Sequence, residues 1–157
     1  MKKTILIISI IVGLVLLLIA GFIWFLAYSS TTDVSQEAPF RAYLNKPFVV
    51  KQTSALKYAE NRNRFRSYYI DNASQEIFAT DTNILKKYNI GDTIVFHTAQ
   101  KFFSNHVGDT YYLMGTTTVD NGETVTFEYG ASFEYSPAIW ETLEEFLERR
   151  NQGQDFP

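Results

Sequence analysis

Cysteine is absent from the chain, and histidine occurs only twice among its 157 residues. Without cysteine the protein forms no disulfide, carries no thioether-linked lipid anchor and offers no thiolate to a zinc ion. A folded core must therefore be held together by packing alone. The 13 Phe and 10 Tyr residues supply much of the apolar area that such a core requires.

An excess of positive charge is also missing. The 14 basic residues include Lys2 and Lys3, and the remaining 12 stand against 17 acidic residues, which leaves a net charge of −5 outside the first few positions. Proteins that bind polyanions through bulk charge are basic, so this balance argues against such a function.

Residues 5–28 form a continuous apolar run without one charged side chain. As an α-helix this run is about 36 Å long, which is enough to cross a hydrocarbon core of about 30 Å with some tilt. Trp24 and Tyr28 stand near its end, where their polar groups can reach the headgroup layer. The run therefore predicts a transmembrane helix.

The charges that flank the run predict its orientation. Lys2 and Lys3 precede it, and no Lys or Arg follows before Arg41. Cytoplasmic flanks carry the excess of basic residues, so we expect the N-terminus inside and the rest of the chain outside a bacterial cell membrane, in the periplasm or at the cell surface. A cleaved signal peptide is the alternative, because Ala27-Tyr28-Ser29 resembles a cleavage site. The run exceeds the roughly 7–15 apolar residues of a signal peptide, which favours a retained anchor.

Composition divides the chain into five segments. We expect a cytoplasmic N-terminus (1–4), a transmembrane anchor (5–28), a polar flexible linker (29–39), one β-rich extracytoplasmic domain (40–150) and a flexible tail (151–157).

The domain alternates short β-rich stretches with turn signals. Strand patterns occur over 47–52, 55–59, 65–71, 76–80, 93–99, 110–119 and 123–129. Asn121-Gly122 predicts a tight hairpin turn, and a short helical turn is expected over 84–88. The alternation along 123–129 puts Val125, Phe127 and Tyr129 on one face and Glu128 on the other.

The end of the domain has helical periodicity. Ser136-Pro137 predicts the start of an amphipathic helix that continues to Arg150, with Ile139, Leu143, Phe146 and Leu147 on its inner face. We therefore expect a mainly-β domain of about six strands, a small, partly closed antiparallel barrel, followed by a C-terminal helix. Residues 88–94, YNIGDTI, resemble the entry to a barrel strand in OB-like and SH3-like modules, and this resemblance implies a fold type but no function.

The candidate binding surface is basic and aromatic. Its members are Lys57, Tyr58, Arg62, Arg64, Arg66 and Tyr68, and the three arginines share one face if 62–69 is extended. Such surfaces hold single-stranded nucleic acid in other proteins. The expected location outside the membrane favours a protein partner in the envelope instead, with anionic lipid or a glycan as alternatives. The arginines could also pair with the acidic C-terminal helix.

Three constellations are weaker candidates for chemistry. Ser104, His106 and Asp109 lie too close together in one loop for a catalytic triad. His97, His106 and Asp109 lack the spacing of a zinc site. Glu141, Glu144, Glu145 and Glu148 have the spacing of a solvated helix face. We therefore expect no catalytic residue, metal ion or cofactor.

The expected function is that of a membrane-anchored, non-enzymatic binding or scaffold module. Two alternatives stay open: an envelope enzyme or metal-binding protein that uses His97, His106 and Asp109, and a membrane-tethered immunity protein against a toxin.

Overall fold

The described part of the chain consists of a long apolar helix that leads directly into a β-sheet. The computed structural model describes residues 2–60, 66–72, 81, 83–130 and 136–153. Its elements in chain order are α1 (Lys2–Ala27), β1 (Ser29–Asp33), α2 (Ala38–Arg41), β2 (Pro47–Val49), β3 (Ser54–Tyr58), β4 (Tyr68–Asn72), β5 (Ile84–Tyr88), β6 (Thr93–Ser104), β7 (Gly108–Thr118), β8 (Thr124–Gly130) and α3 (Leu143–Asn151).

Helix α1 has the length and composition of a membrane span between Lys3 and Ala27. Its large apolar side chains are not covered by the sheet, and Leu18 and Trp24 are each 74% exposed. Exposed apolar surface around a whole helix is unfavourable in water and favourable in lipid. A signal sequence near an N-terminus has the same features, so the expectation of a long apolar helix is confirmed at that level.

The strands form one mainly antiparallel sheet. Its order is β1-β6-β7-β8-β4-β3-β5, and β2 pairs with the first residues of β6. One parallel contact, Tyr69 opposite Glu128, joins β4 to β8. In the described residues β1 and β5 end the path without pairing with each other, so the sheet is partly open. The expected mainly-β domain is confirmed, with eight strands among the described residues where about six were expected.

The core lies against the inner face of β6, β7 and β8. Phe96 is fully buried, and its ring centroid lies 6.1 Å from that of Phe127, 5.9 Å from that of Tyr129 and 5.6 Å from that of Trp140. Val125, Phe127 and Tyr129 are all buried, as the alternation along β8 predicts. These aromatic contacts hold the sheet together without a disulfide.

The turns of the two long hairpins, β6–β7 and β7–β8, each contain a glycine with positive φ. Asn121-Gly122 lies in the loop Val119–Glu123, which joins β7 to β8. Gly122 has a φ of 85° but Asn121 does not have a positive φ, so the loop is a longer turn than the two-residue hairpin turn expected. Gly108, with a φ of 85°, closes the turn between β6 and β7 in the same way. Both turns fix the register of long antiparallel ladders that meet at β7.

The segment expected to be a flexible linker, 29–39, is instead structured. Residues Ser29–Asp33 pair with the second half of β6 as strand β1, and Val34 is 1% exposed. Helix α2 follows and inserts Phe40 fully into the core. Polar Ser and Thr side chains gave no alternating pattern here, because β1 is defined by its pairing with a long neighbouring strand and not by an apolar face.

The helical turn expected over 84–88 is also replaced, by strand β5. Asp81 accepts a hydrogen bond from the amide of Asn83 at 2.9 Å, an Asx-type turn that redirects the chain. The chain then pairs with β3. The expected strand over 76–80 lies outside the described residues.

The C-terminal helix starts later than expected. Thr142 and Glu145 form a capping box: the Thr142 side chain accepts from the Glu145 amide, and the Glu145 carboxylate accepts from the Thr142 amide. Ser136 is therefore not the N-cap, and Ile139 reaches the core from an irregular segment. Leu143 and Leu147, expected on the inner face, are 64% and 47% exposed, whereas Phe146 is buried.

Candidate binding groove

A surface groove lies where β4 and β8 run side by side. Because Tyr69 of β4 is opposite Glu128 of β8 in parallel register, the residues that precede each of them are brought together at one end of the sheet. The groove has a volume of about 450 Å³, and its lining residues are Arg66, Ser67, Tyr68, Glu123, Thr124, Val125 and Thr126. We call it the β4–β8 groove.

Glu128 fixes the backbone at this groove. Its side chain is fully buried, and its Oε2 accepts a hydrogen bond from the backbone amide of Arg66 at 3.1 Å. Burying a carboxylate is costly unless it is hydrogen-bonded, so this bond stabilises one conformation of the chain entering β4. The backbone of Arg66 is thereby fixed beside the groove.

Arg66 and Tyr68 give the groove its cationic and aromatic character. The Arg66 side chain is exposed, and in the described part of the chain its guanidinium makes no ion pair. Tyr68 is opposite Tyr58 of β3, with ring centroids 5.3 Å apart. The groove thus has one guanidinium and one tyrosine in its lining, and the Tyr58 ring extends the aromatic surface next to it. Such a lining suits a ligand that carries an anionic group and a flat or apolar surface.

Lys57, another predicted site residue, points into a different environment. It is 7% exposed, and its Nζ lies 3.3 Å from an oxygen of Asp81 and 3.7 Å from one of Asp71. The hydrogen bond from the Asn83 amide, assisted by the one from Lys57, holds the pKa of Asp81 below its ordinary value. Lys57 therefore joins β3 to the chain around β4 and β5, while Tyr58 stays partly exposed.

Two of the predicted arginines, Arg62 and Arg64, lie outside the described residues. The expectation that Arg62, Arg64 and Arg66 share one face stays a prediction. Of the six predicted residues, the structure brings Tyr58, Arg66 and Tyr68 together at one end of the sheet, and it places Lys57 in the interior.

Two acidic residues near the C-terminus, Glu141 and Glu145, pair with residues outside the predicted arginine surface. Glu141 accepts from the Arg149 side chain at 2.8 Å, in a pair that is largely buried. Glu145 pairs with Lys51, and that hydrogen bond, together with the Thr142 amide, lowers the pKa of Glu145. The Lys51–Glu145 pair joins the C-terminal segment to the start of the domain, whereas the Glu141–Arg149 pair lies within that segment.

The residues considered for catalysis or metal binding are spread along β6 and its turn. His97 lies at an irregularity in β6, with Nε2 3.4 Å from Thr116 Oγ1. Ser104, the last residue of β6, lies seven residues and about 23 Å along the strand from His97. His106 is in the turn that follows Ser104. Asp109 pairs with Lys101 at 3.7 Å, and Ser104 Oγ accepts from the Val107 amide at 3.0 Å. The structure does not bring the two histidines into one site.

Three further features were missed from the sequence: the buried Glu128, the groove and the ordered segment at 29–41. The start of the C-terminal helix, which was expected too early, did have a signal in the sequence. Thr142-Leu143-Glu144-Glu145 has the T-x-x-E pattern of a capping box. Glu128 gave no such signal, since a carboxylate on the second face of a strand is ordinarily solvated. Comparisons of the chain with protein-family models, curated proteins and solved structures gave no match.

Proposed function

We propose that the protein is a single-pass bacterial envelope protein whose sheet domain is a non-enzymatic binding or scaffold module. Residues 5–28 anchor it in the cell membrane, with the N-terminus in the cytoplasm and the domain outside. The OB-like or SH3-like type of the domain, with its partly closed barrel, belongs to the same proposal. OB folds bind ligands on a sheet face and its adjoining loops, and SH3 domains bind peptides in an aromatic-lined groove.

The anchoring part of the proposal is supported by the junction after α1. The helix ends at Ala27, and Ser29 is already paired with Ser104. The three residues of the suggested cleavage site, Ala27-Tyr28-Ser29, thus lie at a helix end and in a paired strand. Removal of α1 would leave the sheet with a new terminus at β1, whereas retention keeps this junction intact.

The binding part rests on one observation: the exposed Arg66 and the ring of Tyr68, which contacts Tyr58, both line the β4–β8 groove. Thr124, at the groove, pairs with Thr118, the last residue of β7. The turn that contacts α1 precedes the first residue of β7, so the groove and α1 lie at opposite ends of this strand. That position disfavours lipid as the ligand of Arg66. It favours a protein of the envelope that presents a carboxylate, or a glycan with an anionic group.

A pair of charge-reversal variants tests the proposal. Full-length protein is recovered by affinity tag from gently solubilised native membranes, and associated proteins are measured by mass spectrometry. Arg66→Glu is expected to reduce a stoichiometric partner about tenfold or more, because opposing like charges at an interface cost several kcal/mol. Lys87→Glu, an equal charge change on the exposed side of β5, is the matched control and is expected to retain it.

Two results would count against the proposal. Equal recovery of the partner by both variants would remove the groove as its binding site. Recovery of no stoichiometric partner, combined with binding of an anionic glycan that Arg66→Glu abolishes, would replace the protein partner by the glycan.

A further inference from the structure

The sheet joins α1 without a spacer, and this places one of its turns beside the helix end. Strand β1 begins two residues after α1 ends, and β6 runs antiparallel to it with Ser104 opposite Ser29. Strand β6 therefore runs towards α1. The turn that follows it, Asn105–Val107, continues past Ser29 to the level of the last helical turn.

Asn105 bonds this turn directly to the helix end. Its side-chain amide donates to the carbonyl oxygen of Phe25 at 2.9 Å, and its backbone amide donates to the carbonyl oxygen of Tyr28 at 3.2 Å. The last carbonyls of a helix have no partner within the helix, so Asn105 acts as a cap supplied from about 80 residues away. The Tyr28 and Phe103 rings add an edge contact with centroids 6.3 Å apart.

The exposed residues of the turn are the polar His106 and the aliphatic Val107, and Phe103 is half-buried next to them. Residues 102–108 contain no Lys, Arg, Asp or Glu, and Val107 is 67% exposed. The nearest charged residues, Lys101 and Asp109, pair with each other. Uncharged turns with exposed aromatic and aliphatic groups suit the boundary between headgroups and acyl chains.

We infer that the turn Asn105–Val107 docks on the lipid surface, within the headgroup layer around the end of α1. The inference rests on the proposed anchoring by α1 and goes beyond it, since it makes the sheet a rigid continuation of the anchor. The lipid contact is made by Val107, Phe103 and Tyr28, and it involves no net charge. It therefore requires no anionic lipid and is insensitive to salt.

The absence of cysteine makes a direct test possible. Full-length Val107→Cys is labelled with an environment-sensitive fluorophore and reconstituted into phosphatidylcholine vesicles that contain a lipid with a headgroup-level spin label. Asn121→Cys is the matched control, because it lies in the other turn of β7, beyond a strand of ten steps or about 34 Å. Several-fold stronger quenching at position 107 than at 121 is expected, and it should persist at high salt.

Two substitutions examine the bond to the helix. Asn105→Ala in the labelled Val107→Cys protein is expected to reduce the quenching at 107. Asn121→Ala is expected to leave it unchanged, although Asn121 also accepts a local hydrogen bond in its turn, from the Glu123 amide.

The outcomes separate this inference from the anchoring itself. Resistance of the protein to alkaline carbonate extraction reports whether α1 is inserted. Inserted protein with equally weak quenching at 107 and 121 would overturn the docking of the turn and leave the anchor standing. Protein that carbonate extracts would refute the anchor, and the docked turn with it. Quenching that appears only with anionic lipid and disappears in salt would replace the apolar contact by an electrostatic one.

Discussion

Replacing Gly115 with alanine examines the packing of β7 against β6 and β8. An added Cβ would lie 2.4 Å from the Cζ atom of Phe127 and 2.6 Å from the carbonyl oxygen of Val95. Real Cβ atoms do not approach other heavy atoms this closely, so one of the neighbours must move. Neither is a flexible side-chain end, because Phe127 is 1% exposed and packs on Phe96, and the second contact is backbone.

The size of the effect follows from two opposing terms. Overpacking a well-filled core costs about 1–3 kcal/mol, and two blocked directions favour the upper part of that range. Loss of glycine's freedom in the unfolded chain offsets this by about 0.4–1 kcal/mol. The net loss is about 2 kcal/mol, a large part of the roughly 5–15 kcal/mol that stabilises a typical domain.

The assay is equilibrium urea unfolding of the full-length chain in detergent micelles. A Trp24→Phe background leaves Trp140, which contacts Phe96 and Tyr129, as the reporter of the core. Gly130→Ala is the matched control, because a Cβ there meets no atom of the described residues within 4 Å, and the stability of this variant should be unchanged or slightly raised. If Gly115→Ala is as stable as the parent protein, the reasoning about this contact is wrong.

Two further predictions concern Tyr129 and Thr142. Burial raises the pKa of Tyr129 in the folded state. The stability that this difference in pKa contributes is fully present below about pH 10, the pKa of tyrosine in the unfolded chain, and is lost as the pH rises through the raised pKa. The urea concentration at the unfolding midpoint should therefore decrease as the pH is raised above about 10. Tyr129→Phe removes the acceptor of the Ile139 amide and should lower the free energy of unfolding by about 1 kcal/mol at neutral pH. The same variant should show a shallower decrease of the midpoint at alkaline pH. An equally steep fall in both proteins would contradict this. Thr142→Ala should cost about 1 kcal/mol through loss of the capping box, read by the same urea titration, with Thr124→Ala on exposed strand surface as the control. No difference between the two variants would mean that the cap does not stabilise the fold.

The parts of the fold that the sequence predicts are those with a local cause. The apolar run at 5–28 is an unbroken composition signal, and it becomes α1. Strands β7 and β8 are fixed by an Asn-Gly turn and by alternation that ends in buried Val125, Phe127 and Tyr129. Each of these patterns is contained in a short stretch of sequence, so the element can be predicted without knowledge of the tertiary fold.

The parts that were missed have distant causes. Strand β1 exists because β6 is long enough to offer a second stretch of edge, about 70 residues further along the chain. Glu128 is buried because the chain before β4 donates an amide to it, which no pattern within β8 indicates. The groove depends on the same parallel contact, and its arginine and tyrosines were predicted only as a composition, not as a position.

The position of the groove relative to α1 has a consequence for binding. The bonded turn at Asn105 and the groove near Thr124 stand at opposite ends of β7, about 34 Å apart along the strand. On the proposed arrangement no flexible segment lies between the bilayer and this strand, so the groove is held at a nearly constant height above the membrane. A partner fixed in the same membrane must then present its ligand at that height, and it loses little orientational freedom on binding. The rigid junction thus favours a membrane-bound partner over a freely diffusing one. A constant height of the groove above the membrane lowers the entropic cost of binding only for a partner whose own binding surface is held at that height.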